Sequence, residues 1–493
     1  LNVETASTDD SNSPANITLD GQGGDIVLSK VVAGLETQGL TASTSGAANA
    51  GSIRIENVAA LTLDGVAVLS EALAGSTGNA GDISVNTTGV ISLSNGTNIA
   101  TSTDGEGFAG QIVMIGSRVT GDNVTIASQA TQTNSGQAGS ITITGDTVAF
   151  TGGSELSTAT NSDLVTPSAG ITLNATDGEL TLADTGVEGS TTGNTDAGSI
   201  NLYGQSYSQA GGEVVTSSGA ITDTGLDVGT GDAGNITIAR DVAGAAVESF
   251  TLAEGGDIQA TTEGSGNAGT ISITNVGNLT ITGTADNKAE ISVAANAANS
   301  GTAGSLALSG INVDIDYADI SASTASNASS SSAASITIEA TGSFALDESN
   351  VTASTTGDVD AGNITLTSQN ESLNIGNSTV SSTSLGGTGQ AGEISLLGQA
   401  INFIGSLLNV ETSSSDTTNS PANITLDGRG GDIVLRQVED GLEIQGLTAS
   451  SSGAANAGSI SIENVAVLIL DGVAVLSEAL AGSTGNAGDI SVN

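Results

Sequence analysis

Cysteine, histidine and tryptophan are missing altogether from this chain of 493 residues, and lysine and arginine together number only seven. Each absence removes a class of chemistry. Without cysteine there are no disulfides, no thiolate metal sites and no sulfur nucleophile. Without histidine the chain lacks the commonest zinc ligand and the base of the familiar serine triads. The basic residues Lys30, Arg54, Arg118, Arg240, Lys288, Arg429 and Arg436 are scattered singly. Binding to a phosphate backbone needs such charges in clusters, which excludes nucleic acid as a partner, and an anionic membrane surface held by charge alone. No run of about 18 apolar residues occurs, so no transmembrane helix is expected. Aromatic residues make up 2% of the chain, too few to fill the irregular core of an ordinary globular domain.

What is present is as lopsided. Acidic residues number 53 and give a formal net charge of −46, which favours solubility and resists unwanted association. Hydrophobic residues still reach 37%, enough Ile, Val, Leu and Ala for a continuous core, which argues against disorder. Glycine supplies 69 residues. Such a composition fits a narrow, regular interior lined by aliphatic side chains.

Internal repetition shows how that interior is built. Leu1 to Asn86 recurs as Leu408 to Asn493, an offset of 407 residues, with 72 of 86 positions identical. The expected organisation is one continuous solenoid over 1–493, with a long repeat over 1–407 and a second copy beginning at 408–493. The absence of an initiator Met or signal peptide at Leu1 reads as a cut through a longer chain. A shorter repeat lies inside the long one. Ala50-Gly51-Ser52-Ile53, Ala80-Gly81-Asp82-Ile83, Ala138-Gly139-Ser140-Ile141, Ala233-Gly234-Asn235-Ile236 and Ala361-Gly362-Asn363-Ile364 are examples. The first aliphatic of each unit falls at 17, 53, 83, 112, 141, 171, 200, 236, 271, 306, 336, 364, 394, 424, 460 and 490, in steps of 28 to 36 residues.

Each unit holds three short alternating stretches. After Gly81 these are Ile83-Ser84-Val85, Ile91-Ser92-Leu93 and Ile99-Ala100-Thr101, with Asn95-Gly96 between the last two. Period-two alternation bounded by Gly and Asn predicts half-buried strands. Three strands of three to six residues plus turns consume roughly 30 residues, one coil of a triangular β-helix. The fold class is therefore all-β: a single-stranded, right-handed parallel β-helix, or β-solenoid, with three strands per coil. A β-sandwich would lack the fixed three-strand period and would want bulkier residues in its core. The third stretch carries small hydroxyl residues, as in Leu40-Thr41-Ala42-Ser43-Thr44 and Ile320-Ser321-Ala322-Ser323-Thr324. Stacked coil on coil, these form Ser/Thr ladders. They fit the tight place where the coil closes, or else present a flat face for fibre packing or glycan contact.

Units such as Gly78-Asn79-Ala80-Gly81-Asp82-Ile83-Ser84-Val85, followed by Ile91-Ser92-Leu93-Ser94-Asn95-Gly96 and Ile99-Ala100-Thr101-Ser102-Thr103, resemble the repeats of large filamentous-haemagglutinin-like exoproteins. The Gly-Asn-Ala-Gly-x-Ile flavour is most similar to the cyanobacterial members. The resemblance spans essentially all 493 residues through degenerate repeats. It implies a right-handed β-helix, secretion by a two-partner route, and an extracellular or cell-surface location. The secretion domain that such proteins carry at their start has no counterpart in this sequence.

Candidate chemistry is sparse. Gly105-Glu106-Gly107-Phe108-Ala109-Gly110 matches the dinucleotide fingerprint by letter, but it precedes the strand-like Ile112-Val113-Met114-Ile115 and not a helix. Asp314 and Asp316 flank Ile315 and are expected on one outward face, with Asp319 nearby and Tyr317 among the inward alternates with Val313 and Ile315. Paired carboxylates can hydrolyse glycosides. Here no His, no nearby Arg and almost no aromatic platform accompanies them. Asp314, Asp316 and Asp319 are instead weak candidates for calcium, the one cofactor entertained. Gly21-Gln22-Gly23-Gly24-Asp25-Ile26 and its copy from Gly428 echo calcium-binding nonapeptides, which come in tandem where these are isolated. No catalytic residue is assigned. The expected function is a non-catalytic structural subunit of an extracellular fibre, self-associating end to end and bundling laterally. The alternative is a surface adhesin that presents loops or ladders to glycans or other cells.

Overall fold

A computed structural model describes residues 1–31, 38–130, 132, 135–162, 169–221, 227–296, 300–327, 334–416, 422–438, 442 and 444–493. Those residues are all-β with no helix, and their contacts separate into two compact units, Leu1–Val247 and Glu248–Asn493. Each unit is a parallel β-solenoid, about 14 turns between them.

In the first unit, the coil that begins at Ile83 shows the plan. Its strands are Ile83–Thr87, Val90–Ser94 and Asn98–Thr103. Each pairs in parallel with its counterpart one coil on: Ile112–Ile115, Arg118–Asp122 and Thr125–Ala130. The pairing is in register, so like sits on like. Ile17, Ile53, Ile83, Ile112, Ile141, Ile171, Ile200 and Ile236 form one column, each the partner of the next. The second unit repeats this from Ile271 through Leu306, Ile336, Ile364, Ile394, Ile424, Ile460 and Ile490. Nearly all of these side chains are fully buried, and each stabilises the fold by about 1.5–3 kcal/mol through removal from water. A slip of one residue would turn the whole column outward, so the aliphatic pattern also fixes the register.

The expected strands of three to six residues hold in most coils but not in all. Ile171–Ala183, Ile200–Ala210, Ile271–Thr282 and Leu306–Asp316 run through the first corner as single long strands. In these coils the corner is turned by a shift of register, as between Ala175 and Glu179, and the chain stays extended through it. The second corner is turned more sharply, by residues with positive φ such as Asn95 (φ 55°), Asn123 (φ 54°) and Asn377 (φ 44°). Asparagine tolerates this left-handed conformation better than most side chains.

The few aromatics are concentrated in the second strand. Phe150, Phe344, Phe403 and Tyr207 point inward there and are fully buried. Tyr207 donates its hydroxyl proton to Gln209 Oε1 at 2.7 Å, and its burial drives the phenol far above its ordinary acidity range.

Candidate functional site

The most elaborated part of each coil is the closing corner, where the third strand returns to the Ala-Gly motif. The glycine there is a packing requirement. A Cβ on Gly81 would stand 2.4 Å from the carbonyl oxygen of Gly51, one on Gly110 would stand 2.1 Å from that of Gly81, and one on Gly139 would stand 2.0 Å from that of Gly110. Successive coils touch backbone to backbone at this point, so no side chain fits. The same holds for Gly105 and Gly107, whose Cβ atoms would meet the Ser76 and Gly78 carbonyls at 2.3 and 2.1 Å. The Gly105–Gly110 run is thus a turn between two strands, and its glycines serve coil stacking.

Two sets of side chains then saturate the backbone at the corner. Inward hydroxyls of the third strand reach across the coil. Ser70 Oγ donates to the Gly51 carbonyl at 3.1 Å and accepts the Gly81 amide at 2.7 Å. Ser128 does the same between Gly110 (3.0 Å) and Gly139 (2.7 Å), and Ser382 between Gly362 (3.1 Å) and Gly392 (2.7 Å). In the second copy of the long repeat, Ser477 reproduces the staple of Ser70 between Gly458 (2.9 Å) and Gly488 (2.8 Å). Of the two readings of the Ser/Thr stretches, these inward hydroxyls bear out closure of the coil. On the outer side, Ser321 Oγ donates to Ser292 Oγ at 2.9 Å, one coil back, as a ladder should.

The second set is a row of Asn and Asp side chains outside the corner. The side-chain oxygen of Asn49 accepts the amide N–H of Asn79 at 2.9 Å, and Asn79 accepts that of Phe108 at 2.9 Å. Asn267, Asp360 and Asn456 do the same for Thr302, Gln390 and Asn486 at 2.8–2.9 Å. A parallel row stands just before the first aliphatic: Asn16 to Ser52, Asp82 to Gln111, Asn363 to Glu393 and Asn423 to Ser459, again at 2.8–2.9 Å. Each side chain serves the equivalent position one coil on, where the backbone is too irregular to continue the sheet ladder. The sequence carries this signal as Asn or Asp recurring beside Ala-Gly, which composition alone reads only as charge and solubility.

A groove of about 560 Å³ runs along this corner in the first unit, crossing several coils. Asn79, Asp82, Phe108, Gln111, Gln137 and Ser140 contribute to its walls. Phe108 is 43% exposed, whereas Phe150, Phe250, Phe344 and Phe403 are fully buried. Its ring lies over Gly136, where a Cβ would come within 2.6 Å of it.

Of the carboxylates singled out in the sequence, Asp314 and Asp316 share one outward face as expected, and Asp319 is carried into another sheet. Asp314 is exposed and Asp316 partly so, side by side on the strand Leu306–Asp316. The chain turns at Tyr317, whose φ of 48° ends the alternation, and Asp319 continues into the third-strand sheet. There Asp319 Oδ1 accepts from Lys288 Nζ at 3.0 Å and from Asn350 Nδ2 at 2.7 Å. Tyr317 is correspondingly not an inward residue: Ala318 takes the buried place and the phenol stays outside, its pKa raised chiefly by the charge of Glu348. The carboxylate that does pair with Asp316 is Asp347, in register one coil on. Burial, then Asp347 and Asp314, push the Asp316 carboxyl above its ordinary value. Among the described residues, no group of three or more carboxylates is placed to hold a metal ion. In the glycine-rich Gly21–Asp25 turn, Asp20 Oδ1 accepts the Gln22 amide at 2.9 Å and the Asn57 side-chain amide at 3.1 Å, so this acid is used to shape the turn.

The fold defines a class, the parallel β-solenoid repeat proteins. No protein-family model, curated protein or solved structure matches the chain. No helix among the described residues is long and apolar enough to cross a membrane.

Proposed function

We propose that this chain is a non-catalytic structural segment of an extracellular or cell-surface fibre, of the filamentous-haemagglutinin-like kind, wound right-handed. The observation that carries the reading is the in-register column of aliphatic residues from Ile17 to Ile236, with its counterpart from Ile271 to Ile490. Coils that repeat one pattern without interruption build length, and length is what a fibre needs. The strands lie across the stack and their hydrogen bonds run along it, so pulling along the stack loads many backbone bonds at once. The near-identical long repeat supports continuation of the same shaft over further copies, with lateral bundling of finished shafts.

Calcium enters this reading only as a diffuse counterion that sodium can replace, with Asp314, Asp316 and Asp347 among the carboxylates it would meet. A second reading, surface adhesion, is favoured by one observation, the open groove beside the half-exposed Phe108. Antibody labelling of intact cells tests the proposal. Label distributed along surface filaments, and lost after mild external proteolysis, is the expected outcome; label found only after cell lysis contradicts it.

A further inference from the structure

The position just before the Ala-Gly motif is occupied by Asn49, Asn79, Gln137, Asp196, Asp232, Asn267, Thr302, Asp360, Gln390, Asn456 and Asn486 in coil after coil. Phe108 stands in the same column. A benzyl group has no acceptor with which to continue the row of side-chain caps. Its ring is not used by the core either, since it is 43% exposed and rests on the backbone at Gly136. A residue that departs from the local rule without a compensating gain in packing is where function is to be sought.

The ring is set on the wall of the groove, among planar amides and hydroxyls. Asn79 and Gln137 lie one coil to either side of it, and Asp82, Gln111 and Ser140 flank them. These groups succeed one another at the rung spacing of about 4.8 Å, close to the length of one sugar unit in an extended chain. The backbone gives such a ligand nothing to pair with. The amides of Ala50, Ala80 and Ala109 already donate to the carbonyls of Asn79, Phe108 and Gln137 in the next coil, at 2.8–2.9 Å. An extended peptide, which binds mainly through backbone pairing, is therefore poorly served. Anionic ligands are disfavoured as well, since Asp82 is the charged residue of the lining and no Lys or Arg joins it. We infer that the groove at Phe108 is a binding site for a neutral, hydroxyl-rich oligosaccharide, with one sugar ring stacked on Phe108 and its hydroxyls held by the flanking amides. The inference rests on the adhesion reading and gives it a ligand class and a place.

Calorimetric titration of the chain with cellohexaose, chitohexaose and a sulfated heparin hexasaccharide tests it, using wild type, Phe108→Asn and Phe108→Trp. Phe108→Asn introduces the residue that occupies this position in the two preceding coils, so the coil is expected to fold, which circular dichroism checks. Saturable binding of at least one neutral hexasaccharide is expected, weakened tenfold or more in Phe108→Asn and retained in Phe108→Trp, with none for the sulfated probe. Absence of neutral-sugar binding in wild type, or equal affinity in Phe108→Asn, overturns the inference. So does a change confined to sedimentation behaviour, which would make Phe108 a contact between copies of the chain. Attachment of both proteins to intact cells is measured alongside. Equal attachment by wild type and Phe108→Asn would remove this site while leaving the adhesion reading in place.

Discussion

Gly121 lies in register with Phe150, and a Cβ placed on it would come within 2.5 Å of the aromatic ring. The column runs Leu93, Gly121, Phe150, Leu182, so a residue with no side chain sits beside one that is oversized for its rung. Gly121→Ala should therefore destabilise the fold by about 1–3 kcal/mol through overpacking. Phe150→Ala should cost about 3–5 kcal/mol through the cavity it leaves. The pair Gly121→Leu with Phe150→Leu restores the plain leucine column and should recover most of the loss. Chemical denaturation of wild type, Gly121→Leu, Phe150→Leu and the double variant checks this, and additivity of the two single leucine effects would contradict it.

Ser128 is fully buried and bridges two glycines of adjacent coils; its removal orphans the buried Gly139 amide, while the Gly110 carbonyl keeps the Thr101 hydroxyl at 2.6 Å. Ser128→Ala should cost about 1–3 kcal/mol, whereas Ser102→Ala, on the outward side of the preceding third strand, should cost under about 0.5 kcal/mol. Solenoids open locally, so amide exchange at Gly139 is the sharper readout. Its protection should fall in Ser128→Ala and remain unchanged in Ser102→Ala.

Glu290 is stacked between Asp257 and Asp319 in three successive coils. Its carboxyl is raised above the ordinary 4.5, first by burial, then by the charges of Asp257 and Asp319. Lys288, in the same turn, gives its ion pair to Asp319. A carboxyl with a raised folded-state pKa stabilises the fold most when protonated. That contribution is full below pH 4.5 and is lost as the pH climbs through the folded value. Glu290→Gln should accordingly raise the melting temperature at pH 7 and flatten its dependence on pH above 4.5. A lower melting temperature at pH 7 would show that the charged form is the favoured one.

The net charge of −46 is carried with only three ion pairs among the described residues, Arg54–Glu56, Lys288–Asp319 and Arg436–Asp471. Such exposed pairs contribute about 0–1 kcal/mol each, so most of the repulsion is left to the solvent to screen. Sodium chloride added from low ionic strength should raise the melting temperature and favour association of shafts. Chelation of calcium at physiological salt should change neither, because no described group of three carboxylates converges on one point. A fall in melting temperature on chelation, restored by calcium, would establish a bound ion.

The repeat architecture was legible because stacking demands that like sit on like. The aliphatic spacing from Ile83 to Ile112 to Ile141 in the sequence is the strand register of the fold. The corners were harder to read. Alternation assigns Tyr317 to the interior, but the turn begins one residue too soon for that, and a positive φ is invisible to a period-two pattern. Asp319 follows Asp316 closely in sequence, yet the same turn carries it into another sheet, beside Lys288. The caps formed by Asn49, Asn79 and Asp82 join residues 29 or 30 positions apart. They become visible only when the coils are laid over one another, and Phe108 stands out only against that column.

The central claim is that these coils are the shaft of an extended surface fibre, and cryo-electron microscopy of filaments sheared from intact cells tests it most directly. The account predicts a layer line near 4.8 Å from the stacked strands, and an axial repeat of about 62 Å from the thirteen steps of one long repeat. Short isolated rods without the longer spacing, or filaments that lack the strand reflection, would contradict it.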